Sequence, residues 1–208
     1  MAIAHGQRVL RSGEPLESAR AAMILVHGRG ASAEDIMTVG AELDFPGFAY
    51  VAPQAAGSAW YPNPFTAPLA SNEPYLSAAL DMLSNLVRQS EAAVGTGHLV
   101  LLGFSQGACL ALEFAARNAR RYGAIIGLSG GLIGPPGTPR DYPEGFDGAP
   151  VFLGCSDVDP HIPKERVIET AEVLERMNAQ VTLHLYPGMG HTVSLEEIAA
   201  VRQILESI

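Results

Sequence analysis

The stretch His98-Leu-Val-Leu-Leu-Gly-Phe-Ser-Gln-Gly107, followed at once by Ala108-Cys-Leu-Ala-Leu-Glu-Phe-Ala-Ala116, decides the fold prediction. Residues 98–102 form a short apolar run typical of a strand, and residues 108–116 are typical of a helix. Between them, the G-x-S-x-G sequence around Ser105 has the small residues that a tight, strained turn requires. Such a turn holds the serine hydroxyl out at the sheet edge, close to the amide N–H groups of the helix start. The stretch predicts Ser105 as a nucleophile, with an incidental turn serine as the alternative.

Short apolar runs alternate with helical patterns along the rest of the chain. Most runs are rich in Val, Ile and Leu and lack polar alternation, as expected for parallel strands covered on both faces. The runs are Gln7–Arg11 (the weakest), Ala22–Val26, Phe48–Ala52, Leu99–Leu102, Ala124–Leu128, Val151–Gly154 and Val181–Tyr186. Helical spacing covers Asn72–Val94, Pro163–Met177 and Ser194–Leu205. The alternation predicts an α/β fold, a doubly wound and mostly parallel sheet of about seven strands with helices on both faces.

Two proline-rich segments interrupt this alternation. Pro53–Pro74 and Gly130–Pro150 contain five prolines each, too many for a helix or a central strand. We expect both to be loops, and loops of this length within a domain are often functional. The length of 208 residues predicts one domain over residues 1–208.

Composition and charge narrow the class of function. Apolar residues make up 48% of the chain, charged residues 17%, and the net charge is −9. An acidic surface disfavours nucleic-acid binding, and no apolar stretch approaches the roughly 18 residues that span a bilayer. The start Met1-Ala-Ile-Ala-His-Gly-Gln-Arg8 lacks the apolar region of a signal peptide, so we expect a cytoplasmic protein without stable membrane insertion. Cys109 and Cys155 fall in predicted buried elements and are expected to be core residues rather than a disulfide.

A serine hydroxyl needs a neighbouring base to act as a nucleophile at neutral pH. On a strand–turn–helix of this kind, an acid and then a histidine follow the serine along the chain. One predicted strand is followed by Cys155-Ser-Asp157-Val-Asp159-Pro-His161, and the last one by Pro187-Gly-Met-Gly-His191. Ligand sites in parallel sheets lie at the carboxyl ends of the strands, where these residues stand. The order predicts His191 as the base and leaves Asp157 and Asp159 open as the acid.

The early loop His27-Gly-Arg29-Gly30 has two readings. Acyl transfer needs backbone N–H donors for an oxyanion, one from the residue after the nucleophile (Gln106) and one from an early loop (Arg29). Residues 28–33 also fit the dinucleotide fingerprint G-x-G-x-x-A, but the next predicted strand ends without the required acidic residue. The first reading is therefore preferred.

A metal site is the weaker interpretation of the acidic loop after residue 154. Asp157, Asp159 and His161 could in principle ligate a cation. The chain has no H-E-x-x-H sequence and no cysteine pair at zinc spacing. We therefore expect one catalytic acid with two neighbouring loop residues, and no metal.

Together these motifs make the chain resemble the phospholipase/carboxylesterase family, small α/β-hydrolases that include bacterial carboxylesterases and acyl-protein thioesterases. The resemblance runs from His27-Gly-Arg-Gly30 through the G-x-S-x-G turn and Asp157-Val-Asp-Pro-His-Ile-Pro163 to Gly188-Met-Gly-His191. It implies an α/β-hydrolase fold and a catalytic triad of Ser105, Asp159 and His191. Asp159 is chosen because the acid of the family directly precedes a turn of the Pro-x-Val-Pro type. The resemblance also implies an oxyanion hole formed by the backbone amides of Arg29 and Gln106.

Near the expected substrate site, the chain departs from the family pattern. Gly154-Cys155 stands where such enzymes usually have His-Gly, and Arg29 stands where thioesterase-like members often have leucine. Pro62 replaces the acidic residue of a Ser-Trp-aromatic-Asp stretch. These departures leave the acyl preference open.

The resemblance implies a serine hydrolase that cleaves carboxylic esters or thioesters of small to medium acyl groups without a metal or organic cofactor. No insertion is long enough for a cap domain, so we expect an open site flanked by Trp60, Tyr61 and Phe65, unless these aromatics anchor the loop instead. An Arg29 side chain facing this site would favour substrates that bear an anion. The alternatives are a lactonase of the dienelactone-hydrolase type, a peptidase and a catalytically silent binding protein, and a homodimer is left open.

Overall fold

The computed structural model describes residues 5–208, which contain seven strands and five α-helices. The strands are β1 (Val9–Gly13), β2 (Ala21–Val26), β3 (Phe48–Pro53), β4 (Leu99–Phe104), β5 (Ala124–Leu128), β6 (Pro150–Ser156) and β7 (Gln180–Tyr186). The helices are α1 (Ala33–Leu43), α2 (Tyr75–Val94), α3 (Gln106–Arg117), α4 (Lys164–Arg176) and α5 (Leu195–Leu205). The strands form one sheet in the order β1-β3-β2-β4-β5-β6-β7. Every neighbouring pair is parallel except β1 and β3, which are antiparallel.

Helices cover both faces of this sheet. Helices α2, α3 and α4 contribute buried apolar residues to one core, and α1 and α5 contribute to the core on the opposite face. The central strands β2 and β5 are buried throughout, as their runs of Val, Ile and Leu predict. The edge strand β7 instead alternates between exposed and half-buried residues. The predicted class is confirmed: a mostly parallel sheet of seven strands between two helical layers.

Local chemistry sets the helix boundaries. Ser32 and Ser194 each accept the N–H of the third helical residue, and the carboxylates of Asp35 and Glu197 return the contact, so α1 and α5 begin with capping boxes. The sequence pattern places the start of α2 at Asn72, but the helix begins at Tyr75, directly after a proline that has no N–H to donate. Residues Leu69–Asn72 form a short 3₁₀ turn instead.

The two proline-rich segments are loops, and they contact each other. The Gly134 N–H donates to the Phe65 carbonyl oxygen at 2.7 Å, which joins the second loop to the first. The buried Arg166 guanidinium, from α4, donates to the carbonyl oxygens of Leu132 and Gly134 at 2.8 and 2.6 Å. The second loop is therefore held in place by side chains of the helical layer.

The carboxyl ends of four strands carry the residues that the sequence singled out. Arg29 follows β2, Ser105 follows β4, Asp159 follows β6 and His191 follows β7. Within residues 5–208, no helix has the length and apolarity that crossing a membrane requires. Of the start that was considered for a signal peptide, residues 1–4 lie outside the described residues.

Candidate active site

Ser105 occupies a strained turn between β4 and α3. Its φ of 55° and ψ of −122° are unusual for a residue with a side chain and cost of order 1–3 kcal/mol. The two glycines of the motif make this turn sterically feasible. A Cβ at Gly103 would overlap the Gly107 backbone, and a Cβ at Gly107 would overlap the carbonyl oxygen of Val26. The Ser105 N–H donates to the Leu128 carbonyl oxygen at 2.9 Å, which fixes the turn to the neighbouring strand.

His191 lies between a hydroxyl and a carboxylate. Its Nε2 is 2.9 Å from the Ser105 Oγ, and its Nδ1 is 2.7 Å from the Asp159 Oδ2. With Nδ1–H donating to the carboxylate, Nε2 is free to accept the serine proton. The imidazole is 18% exposed, whereas the Asp159 side chain is 0% exposed. The ring therefore remains accessible to a substrate, while its carboxylate partner is shielded from water.

The carboxylate of Asp159 is held ionised by its hydrogen-bond donors. Burial by itself disfavours the charged form, but the His191 ring and the N–H groups of His161 and Ile162 stabilise it, so the pKa of Asp159 lies below its ordinary value. Those two N–H groups donate to Oδ1 at 2.8 and 3.0 Å, which leaves Oδ2 for the imidazole. A carboxylate fixed in this way can orient an imidazole and stabilise its positive charge.

Asp157, the other candidate acid, has a different partner. Its Oδ1 accepts the Gly188 N–H at 2.8 Å. Nearby, the Ser156 Oγ accepts the Gly190 N–H at 3.1 Å. Asp157 and Ser156 thus tie the loop after β6 to the loop that carries His191. The geometry separates the two aspartates that the residues alone left open.

The loop after β2 lies beside the serine. A Cβ on Gly28 would sit 3.3 Å from the Ser105 Cβ, so residue 28 packs directly against Ser105. The buried His27 holds this loop, because its Nδ1 is 2.7 Å from the Gly28 carbonyl oxygen and its Nε2 accepts the Ala55 N–H at 3.1 Å. Burial lowers the pKa of His27, consistent with a neutral ring that donates at one nitrogen and accepts at the other. Within the part of the chain that the structure describes, the backbone N–H groups of Arg29 and Gln106 have no hydrogen-bond partner.

The serine and histidine open into a cleft of about 500 Å³. Tyr61 and Phe65 lie in its wall, as the sequence predicts, but Trp60 does not. The Trp60 side chain is fully buried, and its indole N–H donates to the His27 carbonyl oxygen at 2.8 Å. Trp60 therefore anchors the loop, which was the alternative to a place beside the substrate. The complete lining is Arg29, Tyr61, Pro62, Pro64, Phe65, Ser105, Gln106, Cys109, His161, Ile162 and His191.

Arg29 and Gln106 both use their side chains to hold one wall of the cleft. The Arg29 guanidinium donates to the carbonyl oxygens of Tyr61, Pro62 and Asn63, each at 2.9 Å. The Gln106 amide accepts the Trp60 N–H at 3.0 Å and donates to the Tyr61 carbonyl oxygen at 2.8 Å. Residues 60–63 are therefore held from two sides by the side chains of Arg29 and Gln106.

Sequence reasoning missed His161 as a lining residue of the cleft. Its exposed imidazole meets the His191 ring edge-on, with 4.8 Å between the ring centres. The signal was its position two residues after Asp159, in the loop that brings the acid to the site. Cys109 also lines the cleft, but burial raises the pKa of its thiol to about 12, so it is not a competing nucleophile at neutral pH.

A metal site at Asp157, Asp159 and His161 has no support from the geometry. The two carboxylates serve different partners, Gly188 and His191. Among residues 5–208, the histidine, cysteine and carboxylate side chains do not form a group of three that could hold a metal ion. Both cysteines, Cys109 and Cys155, are free and buried.

Comparison with known proteins gives a consistent set of similarities. The sequence profile of the phospholipase/carboxylesterase family matches residues 11–208. Acyl-protein thioesterase 1 of Gibberella zeae is 33% identical over 125 residues, 58% of this chain and 53% of that protein. The corresponding protein of Neurospora crassa is 30% identical over 122 residues, 57% and 49% of the two chains. The chain thus spans about half the length of the curated relatives it matches.

Two solved structures cover the chain almost completely. A phospholipase/carboxylesterase from Dyadobacter fermentans is 42% identical with a TM-score of 0.94, and the match covers 99% of both chains. Esterase PE8 is 25% identical with a TM-score of 0.79, over 99% of this chain and 100% of the other.

Proposed function

Because this chain belongs to the phospholipase/carboxylesterase family, we propose that it hydrolyses carboxylic esters or thioesters through a triad of Ser105, His191 and Asp159. The observation that carries the proposal is the continuous line of hydrogen bonds, 2.9 Å from Ser105 to His191 and 2.7 Å from His191 to Asp159. The proposed base is within hydrogen-bond distance of both the proposed nucleophile and the orienting acid. We also propose that residues 1–208 act as one α/β-hydrolase domain.

The proposed reaction has two acyl-transfer steps. As the Ser105 Oγ forms a bond to the acyl carbon, its proton passes to the His191 Nε2, and Asp159 stabilises the resulting imidazolium. The bond from the acyl carbon to the alcohol oxygen or thiol sulfur then breaks, and His191 returns the proton to that leaving group. Water next attacks the acyl-serine, with His191 again as the base, and the carboxylic acid departs. The chain itself supplies every group that moves a proton.

The backbone N–H groups of Arg29 and Gln106 are the proposed oxyanion hole. Both belong to turns that are rigidly held, and both are free of other partners among the described residues. The N–H of Gln106 opens helix α3, where the helix dipole also favours negative charge. Loss of one such donor typically reduces the rate about 100- to 1000-fold.

The cleft supports small to medium acyl groups as substrates. Its volume of about 500 Å³ accommodates a substrate of modest size, and its wall includes the apolar side chains of Phe65 and Ile162, against which a short acyl chain can pack. Thioesters are included because several curated relatives are acyl-protein thioesterases. A cytoplasmic location remains a prediction from the sequence.

Labelling with a fluorophosphonate probe tests the nucleophile directly. The unmodified protein should label and should hydrolyse p-nitrophenyl butyrate, whereas Ser105→Ala should not label and should lose at least about a thousandfold in kcat/KM. Ser77→Ala, at an exposed position of α2, is the matched control and should behave like the unmodified protein. Persistent labelling of Ser105→Ala, or an unmodified protein that neither labels nor turns over esters, would overturn the proposal.

A further inference from the structure

The side chains that line the cleft carry a charge opposite to that of the protein, although the buried Asp159 carboxylate lies behind His191. The chain carries a net charge of −9, yet the residues described as lining the cleft include no aspartate or glutamate. Arg29 is the only member of this lining that carries a permanent charge. A lone cation in the wall of a cleft attracts anions over short distances, even when the surrounding protein is acidic.

The Arg29 guanidinium is rigidly placed and lacks an acidic partner. Among residues 5–208 it forms no ion pair. The acids nearest in sequence are already engaged, Glu34 with Arg8 and Asp35 with Ser32. The three bonds to carbonyl oxygens orient the guanidinium without cancelling its charge. Of its five N–H donors these bonds use three, which leaves two for another acceptor.

The sheet order indicates which part of a substrate meets this cation. Strand β2, which leads to Arg29, lies on one side of β4 and its nucleophile, whereas β6 and β7, which lead to Asp159 and His191, lie on the other. The leaving group must reach His191 to be protonated, so it extends towards β6 and β7. The acyl chain then extends towards Arg29. Arg29 directly follows Gly28, the residue that packs against Ser105.

We propose that the preferred substrates are esters or thioesters whose short acyl chain ends in a carboxylate, as in the half-esters of dicarboxylic acids, and that the charge of Arg29 selects them. This inference rests on the proposed hydrolase function and adds the class of acyl group. A guanidinium fixed in advance pays little conformational entropy when it binds a carboxylate.

A structural role for Arg29 alone is the competing explanation, since its side chain also holds residues 61–63. The structural role and the charge role can be distinguished by the ratio of kcat/KM for an anionic ester to kcat/KM for a neutral one. A loosened wall affects neutral and anionic substrates alike, whereas loss of the charge affects only the anionic one. The readout is therefore kcat/KM for monomethyl succinate divided by kcat/KM for methyl levulinate. These esters differ only in whether the acyl chain ends in a carboxylate or a methyl ketone.

Four proteins are compared by measuring methanol release from both esters. They are the unmodified protein, Arg29→Gln, Arg29→Lys and the control Arg88→Gln, which removes the same charge from an exposed position of α2. The ratio should exceed one in the unmodified protein and in the control, and should fall about tenfold in Arg29→Gln, the loss expected for one charge-assisted contact. Arg29→Lys keeps the charge and should retain most of the ratio. Added salt should lower the ratio of the unmodified protein and leave that of Arg29→Gln unchanged.

The inference is wrong if Arg29→Gln keeps the ratio of the unmodified protein within about twofold, or if Arg29→Lys loses as much of it as Arg29→Gln. If methyl levulinate is hydrolysed and the ratio in the unmodified protein does not exceed one, the preference for anionic acyl groups is refuted. The hydrolase function would not be affected by that result. Absence of hydrolysis of both esters, with no fluorophosphonate labelling, would remove the hydrolase function itself.

Discussion

Replacing Gln106 with leucine removes two buried hydrogen bonds with little change in side-chain volume. The amide oxygen accepts the Trp60 N–H, and the amide nitrogen donates to the Tyr61 carbonyl oxygen. In the variant, the Trp60 N–H is left without a partner in the core, which costs about 1–3 kcal/mol. The Tyr61 carbonyl keeps the Arg29 guanidinium as a second donor, so its loss is smaller. We expect the free energy of unfolding to fall by about 2–3 kcal/mol in total.

Urea denaturation measures this change, and the chain offers a built-in probe. Trp60 is the single tryptophan and is fully buried beside the substituted position, so its fluorescence follows local opening. Circular dichroism follows the sheet and helices as a whole. Gln203→Leu, an exposed position of α5, is the matched control and should change the stability by no more than about 0.5 kcal/mol.

Gln106→Leu also tests whether the Gln106 side chain positions residues 60–63. Leucine at position 106 keeps the backbone N–H that the proposed mechanism uses, so a fall in kcat/KM arises either from misplacement of the wall or from the new side chain in the cleft lining. Combining it with Arg29→Gln deprives the Tyr61 carbonyl of both donors. The combined loss of stability should exceed the sum of the separate losses. If Gln106→Leu unfolds at the same urea concentration as Gln203→Leu, the reasoning is refuted.

Two further predictions follow from carboxylates outside the nucleophile turn. Asp157→Ala leaves the Gly188 N–H without its acceptor and should lower kcat/KM about threefold to tenfold, and Asp157→Asn should restore it. Asp159→Asn should instead lower kcat about 10⁴-fold, because it disturbs the imidazole tautomer. Equal losses in the two asparagine variants would contradict separate roles for the two aspartates. Burial raises the pKa of Glu197, so its contribution to stability is present in acid and is lost as the pH rises through that raised pKa. Glu197→Gln keeps the capping acceptor for Ser194 and should lose less stability than the unmodified protein as the pH rises from the ordinary range of a glutamate through the raised pKa. Urea midpoints measured across this range check it, and Glu196→Gln, at an exposed neighbouring position, should show no such change.

The fold was predictable because its signals are local. A strand covered on both faces needs a continuous apolar run, and β2, β4 and β5 have such runs with boundaries close to those observed. The start of α5 depends on the cap at Ser194 and on Glu197, only three positions further along the chain. By contrast, the pattern gave no bounds for α1, whose surface includes Gly40 in close contact with β2 and β3.

The choice between Asp157 and Asp159 was not predictable from the residues, because both follow the same strand within three positions. What separates them is a backbone feature, the pair of N–H groups at residues 161 and 162 that occupies one oxygen of Asp159 and turns the other towards His191. The resemblance to the family pointed to Asp159 through the proline turn, which is the element that presents those N–H groups.

The orientation of the Trp60 side chain could not be predicted from the neighbouring residues either, because it depends on distant partners. An aromatic residue in a proline-rich loop packs inward or lines a cleft according to partners that are distant in sequence. Here they are the carbonyl of His27 and the amide of Gln106, which are 33 and 46 residues away. Likewise, nothing in the local sequence indicates that Arg29 reaches the carbonyl oxygens of residues 61–63.

Arg29 and Gln106 each have two proposed tasks, one for the backbone N–H and one for the side chain. The proposed oxyanion donors are their backbone N–H groups, which every residue except proline provides. Their side chains are free to vary, and both hold the wall against which an acyl group would lie. A substitution at either position can therefore change the shape or charge of the cleft without removing the proposed oxyanion donors. On the proposed mechanism, an arginine at position 29 would change the acyl group that the cleft prefers, while the backbone donor and the chemistry at Ser105 would be retained.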